Sequence, residues 1–253
     1  MTSLTQRINA ANKAGRKAII PFLTAGFPTK NDFFTHLEEL DANGADIIEI
    51  GVPFSDPAAD GPVVEAASLK ALEQGVTLQW IIEELTKRKG QYQAELVLMG
   101  YINPFYQYGF EKFAQDAANA GVSGLIVPDL PLDEDDDFKT ILKQHGITLI
   151  SLIGLNTPKE RMQAYAEKAE GYVYVVSYMG TTGAAVAFPP ELKKTLSEAR
   201  EAFNIPLALG FGIKEPKQLE PFGDAIDAVV FGSALIKDIE KKGSAIPFME
   251  RWK

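Results

Sequence analysis

Two carboxylates stand where acid–base chemistry could be done. Glu49 closes the apolar run Ala45-Asp46-Ile-Ile-Glu49-Ile-Gly51, and Asp60 lies in the loop after it, Gly51-Val-Pro53-Phe-Ser55-Asp56-Pro57-Ala-Ala-Asp60-Gly61-Pro62. If the run is a strand, alternation puts Glu49 on one face with Ile47 and Gly51. An ionised, unpaired carboxylate among aliphatic side chains is unfavourable by roughly several kcal/mol. Its pKa is therefore expected to rise, as suits a group that both gives and takes a proton near neutrality. A glutamate that snorkels outward or pairs with a lysine is the plain alternative. Asp60 also reads two ways, because it precedes Gly61-Pro62 and could cap or turn into a helix with proline at its first position.

Two glycine-rich stretches come late in the chain, Leu209-Gly210-Phe211-Gly212-Ile213 and Phe231-Gly232-Ser233-Ala234. Glycine lets backbone N–H groups approach an anion closely, and a helix N-terminus adds a favourable field. Single glycine pairs also serve as ordinary turns. Gly180-Thr-Thr-Gly183 is a third such segment, placed where it could close over a ligand.

The elements that must hold these residues can be read from apolar runs closed by Gly, Pro or Asn. They fall at 18–23, 45–50, 95–99, 123–127, 147–152, 172–177, 205–209 and 226–231. Near-continuous apolar strands indicate a parallel sheet covered on its outer side. Helical spacing is found between them at 30–43, 78–89, 109–120, 133–145, 157–168, 189–203 and 232–241. Leu4, Ile8 and Ala11 add a leading helix before the first strand. Repeated strand–helix alternation without a linker predicts an α/β fold, a single (β/α)₈ TIM barrel over 1–253 with an additional N-terminal helix. The rival, an open doubly wound sheet, usually carries G-x-G-x-x-G after its first strand, which is missing here. In such barrels chemistry sits where strands end, and loops after the seventh and eighth strands often bind phosphate.

Composition removes other classes of function. With a net charge of −9 and no Lys/Arg-rich block, a nucleic-acid or anionic-membrane surface is not expected. The chain has no cysteine and only His36 and His145, both in polar, helix-like contexts, which argues against thiol nucleophiles, Cys or His metal sites and a Ser-His-Asp triad. Asp133-Glu-Asp-Asp-Asp137 reads as the acidic start of a helix rather than a metal site. No apolar run approaches the roughly 20 residues of a membrane span, so a cytoplasmic protein is expected. Trp80 and Trp252 are read as packing residues.

The segment from Glu49 to Pro62 closely resembles the signature of the tryptophan synthase α-subunit family. The resemblance extends over essentially the whole chain, through Pro21-Phe-Leu-Thr-Ala-Gly26, Tyr101-Ile-Asn103-Pro104, Val127-Pro-Asp129-Leu-Pro131 and the two late glycine stretches. It implies retro-aldol cleavage of indole-3-glycerol phosphate to indole and glyceraldehyde 3-phosphate. Glu49 would protonate indole C3 and take the hydroxyl proton as the carbon–carbon bond breaks. Asp60 would partner the indole N–H and stabilise the cationic intermediate. Phe22, Met99, Tyr101 and Tyr174 would line the substrate site. Thr182 would help position Asp60, and Gly183, Gly212 and Ser233 would hold the phosphate. Asp56, Asn103, Pro104 and Phe105 match the regions that face the β subunit, which carries pyridoxal phosphate in an α₂β₂ complex; the α chain itself would need neither metal nor organic cofactor. The loop Gly180-Thr-Thr-Gly183 departs from the Gly-Val-Thr-Gly common in the family, and Gly100 stands where a larger residue is common.

Three other functions fit parts of the sequence. A lyase active without a partner would share every site residue, although the Asp56 loop leans toward a subunit. A silent barrel serving only to activate a β subunit would not need both carboxylates. A sugar-phosphate isomerase would need its base and electrophile on other strands.

Overall fold

The computed structural model describes residues 1–131, 134, 136–177, 188–210 and 212–253. The apolar runs form strands β1 (Ala18–Thr24), β2 (Ile47–Gly51), β3 (Glu95–Met99), β4 (Val122–Ile126) and β5 (Thr148–Leu149). They continue as β6 (Ser151–Gly154), β7 (Val173–Val176), β8 (Leu207–Gly210) and β9 (Ala228–Phe231). The strands are paired in the order β5-β4-β3-β2-β1-β9-β8-β7-β6, and every recorded pairing is parallel. The two ends of that order are halves of one extended run, broken at Ile150. Its first half pairs with β4 and its second with β7, which joins the ends into a (β/α)₈ barrel. Across the break, the Ile150 N–H still donates to the Leu125 carbonyl at 2.9 Å.

Around the strands lie α1 (Ser3–Lys13), α2 (Lys30–Ala42), α3 (Pro62–Glu73), α4 (Leu78–Lys87), α5 (Ile102–Tyr108) and α6 (Phe110–Asn119). The later helices are α7 (Asp136–Gln144), α8 (Lys159–Lys168), α9 (Glu191–Ala202), α10 (Ser233–Lys242) and α11 (Ile246–Met249), with a 3₁₀ segment at Pro216–Ala225. Threonine starts three of them. The side chains of Thr2, Thr29 and Thr77 accept from the backbone N–H three residues on, which satisfies one donor that the first turn leaves open. At α3 the cap is Gly61, with Pro62 next and no side-chain cap bond, so Asp60 is not the capping residue. Asp136 and Asp137 occupy the first turn of α7, where negative charge suits the helix dipole.

Strand alternation divides the core in two. Ile20, Ile47, Val97, Ile126, Ile150, Tyr172, Tyr174, Ala208 and Val230 fill the barrel interior. Leu4, Ile8 and Ala11 of α1, all 2% exposed or less, join that interior cluster and cover the end where the strands begin. The intervening strand positions face the helices, as at Ile48, Leu98, Leu125, Val175 and Val229. Near the C-terminus Phe231 stacks on Trp252 at 4.8 Å and packs against Phe248, which braces the end of β9. His36 is buried, not surface-exposed, with Nδ1 3.0 Å from Glu39; His145 is 3.0 Å from Glu111. No helix among the described residues is long and apolar enough to cross a membrane.

Candidate active site

At the carboxyl ends of the strands a cleft of about 580 Å³, counting the space open to solvent, brings together residues far apart in sequence. Phe22 of β1, Asp60, Met99 of β3 and Tyr174 of β7 form one part of its lining. Gly212, Ile213 and Lys214 after β8, with Gly232 and Ser233 after β9, form another. Phe22, Asp60, Met99, Tyr174, Gly212 and Ser233 are thereby placed together. Thr182 and Gly183 lie outside the described residues.

Glu49 is completely buried in β2, beside Phe22 in the strand register. One carboxyl oxygen, Oε1, accepts from the Tyr172 hydroxyl at 2.9 Å. The other, Oε2, has no hydrogen-bond partner among the described residues. Burial disfavours the ionised form and outweighs the Tyr172 bond, raising the pKa to about 8. At neutral pH the resting group is thus mostly a carboxylic acid, able to donate a proton.

Asp60 is half-buried on the cavity wall. Burial raises its pKa to about 6 against the opposing hydrogen bond from Tyr101, with a smaller upward push from Glu65. It is therefore mostly ionised above that pH. Two carboxyl groups of one site are held in different charge states by their surroundings alone, a pattern that separates acid from anion.

Tyr101 is not on the cavity surface. Its hydroxyl accepts from the Ala59 N–H at 2.9 Å, bonds Asp60, and its ring stacks on Phe54 at 5.1 Å, so it supports the Asp60 loop rather than lining the pocket. Tyr174 lies within electrostatic reach of both carboxylates; burial first, then Glu49 and Asp60, push its hydroxyl pKa well up.

Glycines make room for these aromatics. A Cβ at Gly210 would stand 2.3 Å from the Tyr174 hydroxyl, and one at Gly51 would stand 2.5 Å from Cζ of Phe22. Gly51→Ala should push Phe22 into the cavity and lower kcat/KM about ten-fold or more, since small misplacements at a reacting centre are amplified. Steady-state indole release measures this, and wild-type kinetics would show that the Phe22 ring moves away freely. Gly100 fits a similar pattern, for a Cβ there would lie 2.9 Å from Cβ of Val52, so a side chain at this position would force its neighbours to shift.

The expected partner-facing segments divide. Asp56 and Asn103 are exposed and Pro104 is half-buried. Phe105 is a correction: it is fully buried, 4.7 Å from the ring of Phe113 and in an aromatic cluster with Phe138. The exposed aromatic of α5 is Tyr106, at 66%.

Tyr172 was not singled out from sequence, although its spacing of two from Tyr174 puts both on the interior face. Among the described residues, no group of three or more His, Asp or Glu side chains is placed to hold a metal ion.

The tryptophan synthase alpha chain family model matches residues 8–250. The tryptophan synthase alpha chain of Solidesulfovibrio magneticus is 61% identical over 250 residues, covering 99% of this chain and 98% of that protein. Among solved structures, the alpha chain from Legionella pneumophila is 32% identical with a TM-score of 0.86, covering 100% of this chain and 94% of that one. A Mycobacterium tuberculosis tryptophan synthase chain is 31% identical with a TM-score of 0.89, over 99% and 95% of the two chains.

Proposed function

The chain belongs to the tryptophan synthase alpha chain family, and on that premise we propose how its residues share the reaction. It is a lyase that cleaves indole-3-glycerol phosphate to indole and glyceraldehyde 3-phosphate, working with a β subunit as the α subunit of tryptophan synthase. The observation that carries the assignment of roles is the split between the carboxyl groups, Glu49 near 8 and Asp60 near 6.

Between those values Glu49 is protonated and Asp60 is ionised. Glu49 gives its proton to indole C3 while Asp60 holds the indole N–H and balances the positive charge on the ring. The Glu49 carboxylate left behind then takes the proton of the substrate hydroxyl. The carbon–carbon bond breaks, its electron pair returns to the ring, and the hydroxyl carbon becomes the aldehyde of glyceraldehyde 3-phosphate. Glu49 ends protonated, ready for another turnover. Ionised groups fixed in a site that excludes water act more strongly than in solution.

Phe22, Met99 and Tyr174 hold the indole, with Tyr101 orienting Asp60. Gly212 and Ser233, with Gly183, take the phosphate through backbone N–H groups, and Thr182 helps to position Asp60. Support for the phosphate end comes from Gly232 and Ser233 at the start of α10, where no side chain caps the first turn. Asp56, Asn103 and Pro104 face the β subunit, joined by Tyr106 in place of Phe105. Pyridoxal phosphate belongs to that partner, while the α reaction needs no metal or organic cofactor. Residues 1–253 act as one catalytic barrel in the cytoplasm.

The test is indole release from indole-3-glycerol phosphate by the purified chain with and without a matched β subunit. Slow release that rises sharply with β is the expected result. Fast release indifferent to β would make the chain a stand-alone lyase, and no release in either case would overturn the reading.

A further inference from the structure

Resting on the phosphate end assigned above, we propose that the Lys214 ammonium is a side-chain arm of the phosphate subsite, presented by a turn that Gln218 pins. The cavity has the Asp60 carboxylate in its lining and sits in a chain of net charge −9. A dianionic ligand entering it meets an unfavourable field unless a cation offsets it. Among the described lining residues, Lys214 alone carries a positive charge. It is exposed, and among the described residues it takes part in no ion pair. The neighbouring Glu215 carboxylate is engaged elsewhere, in a capping box with Gln218.

The turn carrying Lys214 is held by one side chain. Gln218 Oε1 accepts from the Lys214 N–H at 2.7 Å and the Glu215 N–H at 3.0 Å, and its Nε2 donates to the Gly212 carbonyl at 3.2 Å. Gly212 has a φ of +77°, a conformation that glycine adopts without strain. Residues 212–215 therefore form a fixed unit that sets both the Gly212 backbone and the start of the Lys214 side chain against Ser233. Such an arrangement selects for phosphate charge without touching the reacting carbon, so its effect belongs in binding rather than in the chemical step.

Lys214→Ala, Lys214→Arg and Gln218→Ala would be compared with wild type in the αβ complex, at low and high salt. The readouts are KM and kcat for indole-3-glycerol phosphate and the inhibition constant of inorganic phosphate. Lys214→Ala should raise KM and the phosphate inhibition constant together by about five- to ten-fold at low salt, with kcat reduced by no more than about two-fold. The effect should shrink at high salt through screening. Lys214→Arg should restore both constants, and Gln218→Ala should raise them by a smaller factor that also shrinks at high salt, because it loosens the turn that presents the charge. An unchanged phosphate constant in Lys214→Ala at low salt, with wild type still cleaving substrate, would overturn the Lys214 role alone. If wild type neither cleaves the substrate nor binds phosphate, the reading of the whole cavity falls with it.

Discussion

Glu49→Gln should reduce indole release by about 10³-fold or more, near the upper part of the range for removing a general acid–base group. Glutamine keeps the volume and an oxygen that can accept from the Tyr172 hydroxyl, which Glu49 now holds at 2.9 Å. What it cannot do is pass a proton to C3 and take another from the hydroxyl. Steady-state and single-turnover assays on the complex measure the loss, and substantial residual turnover would move the acid–base role to another group.

The same substitution should stabilise the fold, with a definite pH dependence. Glu49 has a usual value of 4.5 and a folded value of about 8. Between these the folded chain keeps a proton that the unfolded chain releases, so stability falls as pH rises through that window. The burden is absent below 4.5 and complete above 8. One pKa unit corresponds to about 1.4 kcal/mol, which makes the full effect on the order of a few kcal/mol. The thermal midpoint of Glu49→Gln should exceed wild type at pH 8 by several degrees, with the gain shrinking toward pH 5. A gain equal at both pH values would mean that packing, not ionisation, accounts for it.

Asp60→Asn should lower kcat by about 10²- to 10³-fold, the loss typical of removing a preorganised charge partner. Asparagine can still accept a hydrogen bond from the indole N–H, and Tyr101 can still support it. It cannot balance the positive ring. Binding of an uncleavable substrate analogue should change little, because the charge appears only as C3 is protonated. Comparable losses in binding and in kcat would instead make Asp60 a general substrate contact.

The barrel was legible because each strand is a short, almost unbroken apolar run, and seven of the expected helical segments became helices shifted by a few residues at their ends. The break of the fifth strand at Ile150 was not, since an apolar residue at a change of partner looks like any other. Helix α5 was missed because it is one short stretch with Pro104 in its first turn, where the missing N–H is harmless but the proline suggests a loop. Pro216, Pro221 and Gly223 hid the 3₁₀ segment that carries Gln218 in the same way. Within the site, Glu49 could be found because a charge inside an apolar run is anomalous. Asp60 had two local readings, and only the cap at Gly61 separates them. Tyr172 and Phe105 were opaque for the reason that aromatics in strands and short helices carry no mark of what they touch. Tyr172 proved to hold the acid, and Phe105 to belong to the core.

The most direct measurement is kcat/KM for indole release by the complex as a function of pH. A bell is predicted, lost below about 6 as Asp60 takes a proton and above about 8 as Glu49 gives its own up. The alkaline limb decides, because a phosphate monoester also titrates near about 6. A fall through pH 8 would identify the neutral Glu49 carboxyl as the working acid. A rate that stays level or climbs from pH 8 to well above it would contradict that assignment, since the ionised form would then be the active one.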